Sequence, residues 1–254
     1  MGQEALAPSS ISDDPHSDFK ARSMNNEEIL EIIDAFGNAA ARAKAAGIDA
    51  LQVHAAHAYL ISQFLSPHTN RRLDQWGGSL ERRFSFLQSI YRDIRTKVGP
   101  QFPVLIKLGV EDGFPEGLPF TEGKQIARWC SDIGFDAIEI SQGLRGKYYQ
   151  QTEFRTGIVQ GKNEGYFRDW ARNVRMIVHV PVIMVGGLRS PFFIEDALEL
   201  GDADAAALSR PLIREPDLIA RWQSGDSRSS SCISCNRCFE AVRKGKFLRC
   251  WADY

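Results

Sequence analysis

Four groups of residues have the types and spacing to do chemistry. His54 and His57 stand three apart in HAAHAYL, a segment that leaves a β-prone run. Two imidazoles so placed can converge on one point and donate hydrogen bonds to an oxygen that turns negative during a reaction. A bare His-x-x-His also fits half of a metal site, but a third ligand would have to come from His16, His68 or His179, none in a recognisable ligand spacing. The second group is Gly186 and Gly187 with Ser209 and Arg210. A glycine pair lets backbone N–H groups approach an anion and an arginine adds a guanidinium, although the glycines alone would also suit an ordinary strand-to-helix turn. Third, Lys107 sits inside Val-Leu-Ile-Lys-Leu, where a cation is costly to bury unless it meets a negative group. The fourth is Cys232-x-x-Cys235-x-x-Cys238 and, after eleven residues, Cys250. Four thiolates at this spacing are compatible with an iron–sulfur cluster, with zinc, or with free thiols. Glu139, in Ile-Glu-Ile, reads as facing a helix or solvent and is assigned no chemistry; Cys130 reads as core.

These side chains need elements to hold them. An Asn cap, acidic residues in the first turn and apolar residues at helical spacing predict a helix over 25–46, and further helices are expected over 80–98, 122–133 and 191–200. Short β-prone runs lie at 50–54, 103–107, 137–140, 181–185 and 205–208. Strand alternating with helix is the pattern of an α/β fold with a parallel sheet. His54, Lys107, Ser141, Gly186–Gly187 and Ser209–Arg210 all fall at the C-terminal ends of these runs, where a barrel gathers its site from several strands. An open sheet would concentrate ligand groups at one switch point. Five strands are found where a closed barrel needs eight. The chain therefore reads as an incomplete (β/α)8 TIM barrel, its last five βα units, over residues 1–224, with a Cys-rich tail over 225–254.

The histidine motif runs on as His54-x-x-His57-x-Tyr59, then Leu65-Ser66-Pro67-x-x-Asn70-x-Arg72-x-Asp74-x-x-Gly77-Gly78-Ser79. EGYF at 164–167, VGGLRS at 185–190 and SRPLIREPDL at 209–218 follow. Together these segments resemble the Old Yellow Enzyme family of FMN-dependent NADH:flavin oxidoreductases and NADH oxidases. The resemblance implies FMN as cofactor, NADH or NADPH as reductant, and an enone-type small molecule, an activated alkene, as substrate. It implies that His54 and His57 hold the substrate carbonyl and that Tyr59 protonates the carbon alpha to it. Lys107 would lie beside flavin N1, and Gly186, Gly187, Ser209 and Arg210 at the FMN phosphate. Larger relatives carry a [4Fe–4S] cluster on a similar cysteine pattern, with three residues between the second and third cysteines where this chain has two. The segment from Asn70 to Ser79 reads as scaffold, its charges pairing or capping and its glycines permitting a turn. In the family the first three strands also contact the flavin. The alternative reading is thus an inactive truncated barrel, or a subunit that needs a complementary barrel fragment or a homo-oligomer.

Composition narrows the classes further. In 254 residues, 43% apolar and 25% charged, Lys plus Arg 31 against Asp plus Glu 32 leave a formal charge of −1. No global field recruits nucleic acid or anionic lipid. No apolar run approaches the ~20 residues of a membrane span, and the start shows no secretory signal. Cysteines crowded near one end are not the framework of a small secreted fold, so a reducing, cytoplasmic setting is expected.

Overall fold

The computed structural model describes residues 5–11, 20–145 and 152–252. The chain divides into two compact units, Met1–Thr152 with Ile177–Val180, and Glu153–Met176 with Pro181–Tyr254.

The first unit opens with a parallel pair, β1 (Leu6–Ala7) and β2 (Arg22–Ser23). Helix α1 (Asn26–Ala45) starts on a reciprocal cap: Asn25 accepts from the Glu28 N–H while Glu28 accepts from the Asn25 N–H. Strand β3 (Leu51–Ala55), helices α2 (Leu60–Leu65) and α3 (Leu80–Val98), strand β4 (Val104–Gly109), helix α4 (Phe120–Ile133) and strand β5 (Ile138–Ser141) follow. Ser79 caps α3, and Gly134 ends α4 at φ 104°, a left-handed conformation that a residue without Cβ adopts at little cost. Helices α1 and α3 approach so closely at Gly37 that a Cβ there would lie 1.8 Å from Asp93 Oδ2.

Strands β3, β4 and β5 pair in parallel in that order. Because side chains alternate along a strand, one set, Val53, Ala55, Val104, Ile106, Leu108, Ile138 and Ile140, is wholly or almost wholly buried. Each such aliphatic side chain removed from water contributes roughly 1.5–3 kcal/mol. The alternate set, Leu105 and Gly109 apart, is polar: Gln52, His54, Lys107, Glu139 and Ser141. A parallel sheet with helices on one side and polar groups on the other is built to present those groups to a ligand.

The segment after α2 is the scaffold expected. Asn70 Nδ2 donates to the carbonyls of Phe64 and Trp76 at 2.8 and 2.7 Å, Arg72 pairs with Asp74 at 2.6 Å, and the buried Arg83 pairs with Glu122 at 2.7 Å. A second clamp was not foreseen: Asp112 accepts from the Ser66 hydroxyl at 2.6 Å and from the N–H groups of Leu118 and Leu144 at 2.7 and 2.6 Å, tying together the loops that follow α2, β4 and β5.

The second unit holds α5 (Arg168–Arg175), the parallel pair β6 (Val182–Met184) and β7 (Ala205–Ala206), α6 (Pro191–Glu199), and the short helices α7 (Arg210–Arg214), α8 (Leu218–Gln223) and α9 (Arg237–Arg243). The tail from 225 on belongs to this unit. Among the described residues no helix is long and apolar enough to cross a membrane. His16 lies outside the described residues.

Candidate active site

At the C-terminal end of β3 the structure brings His54, His57 and Tyr59 together. The His54 ring is edge-on to His57 with centroids 4.8 Å apart and lies 5.0 Å from the Tyr59 ring. The turn is tight: His57 and Ala58 both have positive φ, 60° and 63°, which costs energy in residues with a Cβ. Two bonds hold it to the end of β5. The His57 N–H donates to the Gln142 carbonyl at 3.1 Å, and His57 Nε2 lies 2.7 Å from Ser141 Oγ. Tyr59 is 61% exposed and open to an incoming molecule.

Both imidazoles are neutral at physiological pH. Burial lowers the His54 pKa, the Lys107 charge lowers it further, and Glu139 partly opposes them. His57 is driven down to about 3, first by burial and then by the positive charges around it. A neutral imidazole keeps one N–H to donate and one lone pair to accept. His54 Nδ1 is buried with no hydrogen-bond partner, a polar atom left for a ligand or water to satisfy.

Register decides the surroundings of Lys107. His54 pairs with Lys107, and Lys107 with Glu139, so the three stand side by side on adjacent strands. Lys107 Nζ lies 2.5 Å from Glu139 Oε1, and Gln52 Nε2 donates to Glu139 Oε2 at 3.0 Å. Glu139 thus faces neither helix nor open solvent. It is 7% exposed and supplies the negative partner that a cation in this strand requires. This corrects the reading that gave Glu139 no chemistry. The signal was present in the alternation of β5, but only the pairing of β4 with β5 shows which side chain it meets.

In the second unit, Gly186 and Gly187 have φ of 117° and 71°, and a Cβ on either would come within 3.0 Å of the Tyr166 ring. Neither amide donates to another described residue, so the turn offers two backbone donors. Beyond Leu188, the amides of Arg189 and Ser190 are taken by the Glu164 carboxylate at 2.6 and 2.7 Å. Arg210 is a buried residue whose Nη1 donates to the Arg155 carbonyl at 2.8 Å and to Asn236 Oδ1 at 2.6 Å. Ser209 immediately precedes α7, where the first backbone N–H groups have no intrahelical acceptor.

Cys232, Cys235, Cys238 and Cys250 line one cavity together with Arg210 and Asn236, and all four thiols are free. Arg214 reaches to 3.6 Å from Cys250 Sγ. Burial pushes the Cys238 thiol up, against a smaller opposing pull from the Arg210 charge. Among the described residues no three Cys, His, Asp or Glu side chains are grouped to chelate a single ion. Cys130 is fully buried in α4, as expected, and burial raises its pKa.

Known proteins were compared with this arrangement. The NADH oxidase of Thermoanaerobacter brockii is 37% identical over 237 residues, 90% of this chain but 35% of the relative. The structure of 2-naphthoyl-CoA reductase in complex with 2-naphthoyl-CoA superposes with a TM-score of 0.87 at 30% identity, over 98% of this chain and 38% of that one. Morphinone reductase in complex with tetrahydroNAD gives a TM-score of 0.67 at 27% identity, over 88% of this chain and 60% of that one. The chain spans roughly a third of the length of its larger relatives, and its α/β fold is part of the TIM barrel these proteins have. With residues 3–228 matching the profile of the NADH:flavin oxidoreductase / NADH oxidase family, the chain belongs to that family.

Proposed function

We propose that the protein is an FMN-dependent oxidoreductase of the ene-reductase type, acting in the cytoplasm on α,β-unsaturated carbonyl compounds with NADH or NADPH as reductant. The observation that carries this reading is the cluster of two neutral imidazoles and an exposed tyrosine at the end of β3, one of the imidazoles with an unsatisfied buried nitrogen. A bound flavin mononucleotide supplies the hydride that reduces the alkene. The chain's own residues do the rest. His54 and His57 receive the carbonyl oxygen and donate hydrogen bonds that strengthen as it becomes an enolate oxygen. The Tyr59 hydroxyl gives its proton to the alpha carbon. Lys107, steadied by Glu139, presents a positive group to the pyrimidine side of the ring. The Gly186 and Gly187 amides, with Ser209 and the main-chain N–H of Arg210, receive the phosphate. The four tail cysteines hold a [4Fe–4S] cluster in the cavity they line.

The test is to purify the chain, supply FMN, and follow NADH and NADPH oxidation with and without 2-cyclohexenone, identifying the product by mass. Saturation of the carbon–carbon double bond is expected. NAD(P)H oxidation that ignores the enone would overturn the substrate class. Anaerobic reconstitution with iron and sulfide tests the tail; zinc bound in preference to iron would refute the cluster.

A second reading is favoured by one observation: β3 pairs with β4 on one side and with no described strand on the other. An open parallel edge of this kind is normally covered. On this reading the chain binds FMN only with a complementary barrel fragment or a second copy. Light scattering of a monomer that binds FMN would exclude it.

A further inference from the structure

Ser141 is a polar group of the first unit to which the proposed chemistry gives no role. It ends β5 on the same face as Glu139 and is 1% exposed. Its hydroxyl lies 2.7 Å from His57 Nε2, and no other described group bonds to it. We propose that Ser141 is a positioning residue, donating its hydroxyl proton to His57 Nε2 and thereby holding the His57 proton on Nδ1. The proposal rests on the reading of His57 as a donor to the substrate oxygen.

The argument is one of donors and acceptors. If Nε2 carried the proton and donated to Oγ, the serine O–H would have no described acceptor, and a buried donor without a partner costs about 1–3 kcal/mol. If the hydroxyl donates instead, the buried serine proton is used and the lone pair of Nε2 is filled, which leaves the Nδ1 proton for a ligand. The ring has the lone pair to offer because burial and the charge of Lys107 keep it neutral. The His57 backbone sits at φ 60° and is tied to the Gln142 carbonyl, so the turn that carries the ring is fastened to the end of the strand that carries Ser141. The consequence is functional: with Nε2 occupied as an acceptor, Nδ1–H is the donor left for a carbonyl oxygen. Free imidazole side chains in water favour the Nε2–H form, so without Ser141 the ring would present a lone pair where a proton is required.

The experiment reads the tautomer directly. Two-bond 1H–15N correlation spectra of the 15N-labelled chain distinguish protonated from unprotonated ring nitrogens, with a His57→Asn protein identifying the His57 signals. In the native chain Nδ1 is expected to be protonated and Nε2 unprotonated. Ser141→Ala is expected to shift His57 to the Nε2–H form or to an average of the two, and Ser141→Thr, which keeps the hydroxyl, to restore the native pattern. Enone reduction by the pre-reduced protein should fall about tenfold in Ser141→Ala and recover in Ser141→Thr. A native chain with Nε2–H, or a Ser141→Ala spectrum identical to the native one, would overturn the proposal. A native Nδ1–H pattern in a protein that reduces no enone would leave the role of Ser141 standing and contradict the proposed function instead.

Discussion

The histidine cluster of the first unit and the cysteine cavity of the second are organised in opposite ways. Around His54 and His57 most polar groups already have a protein partner: His57 with Ser141, Lys107 with Glu139, Glu139 with Gln52. Around the cysteines the side chains face a common space without bonding one another, with Arg210 in the same lining and Arg214 3.6 Å from Cys250 Sγ. The first arrangement is preorganised by strand register and should exist before any ligand arrives. In the second, on the proposed reading, the thiols would acquire their strongest partner only when a metal group enters. A site made of interlocked hydrogen bonds and a site made of waiting ligands respond differently to damage, and that contrast can be broken experimentally.

The largest effect belongs to the cavity. Cys235→Ser should abolish iron uptake on reconstitution, as measured by bound iron and visible absorbance, and should leave the first unit's tautomer and fold unchanged. Retention of native iron would remove the cysteines from the metal site. Next comes the histidine cluster: His57→Ala should slow enone reduction by roughly 10²–10³, the usual effect of deleting one donor to a developing oxyanion, with little change in iron content. A tenfold loss or less would demote His57 to a structural role.

Stability should separate the two regions more finely. Lys107→Met leaves the Glu139 carboxylate without its cation in a largely buried layer. The Lys107 side chain is 20% and the Glu139 side chain 9% exposed, so the penalty should be about 2–3 kcal/mol in denaturant unfolding, below the range for a fully buried pair. Adding Glu139→Gln should recover most of it, because the uncompensated charge is then gone. A double variant no better than Lys107→Met would show that the pair is not the unit of stability.

The smallest effect is that of pH on the rate. The His57 pKa is about 3 in the folded chain against an ordinary 6.5, so the unfolded chain takes up the proton first. Its contribution is undiminished above pH 6.5 and is lost progressively as pH falls from there toward 3. The rate of enone reduction should show no inflection near 6.5 from this ring. An inflection there, absent in His57→Ala, would mean that the imidazole is solvated and charged, not held neutral.

Local signals carried much of this into the sequence. The Asn25 cap and Ser79 placed α1 and α3 nearly to the residue, and five β-prone runs fell on the five strands that carry the site, each displaced or shortened at its ends. His54, His57 and Tyr59 were legible because they lie within six residues of one another. Ser141 was legible as a strand-end residue, but its partner and the role of Glu139 were not, because His57 and Lys107 lie 84 and 32 positions away and are brought near by the fold. Arg210 was legible as a cation after β7, but its direction was set by the Arg155 carbonyl and Asn236, 55 and 26 positions away on irregular segments that no periodicity foretells. Asp112 illustrates the same limit, since its three donors come from three loops.

The central claim is that this chain holds a flavin mononucleotide, and titration of the purified protein with FMN tests it most directly, followed by flavin fluorescence and visible absorbance. Saturable binding with a perturbed flavin spectrum, weakened by Lys107→Met, is the predicted result. A protein that leaves the fluorescence and spectrum of added FMN unchanged at every concentration would contradict it.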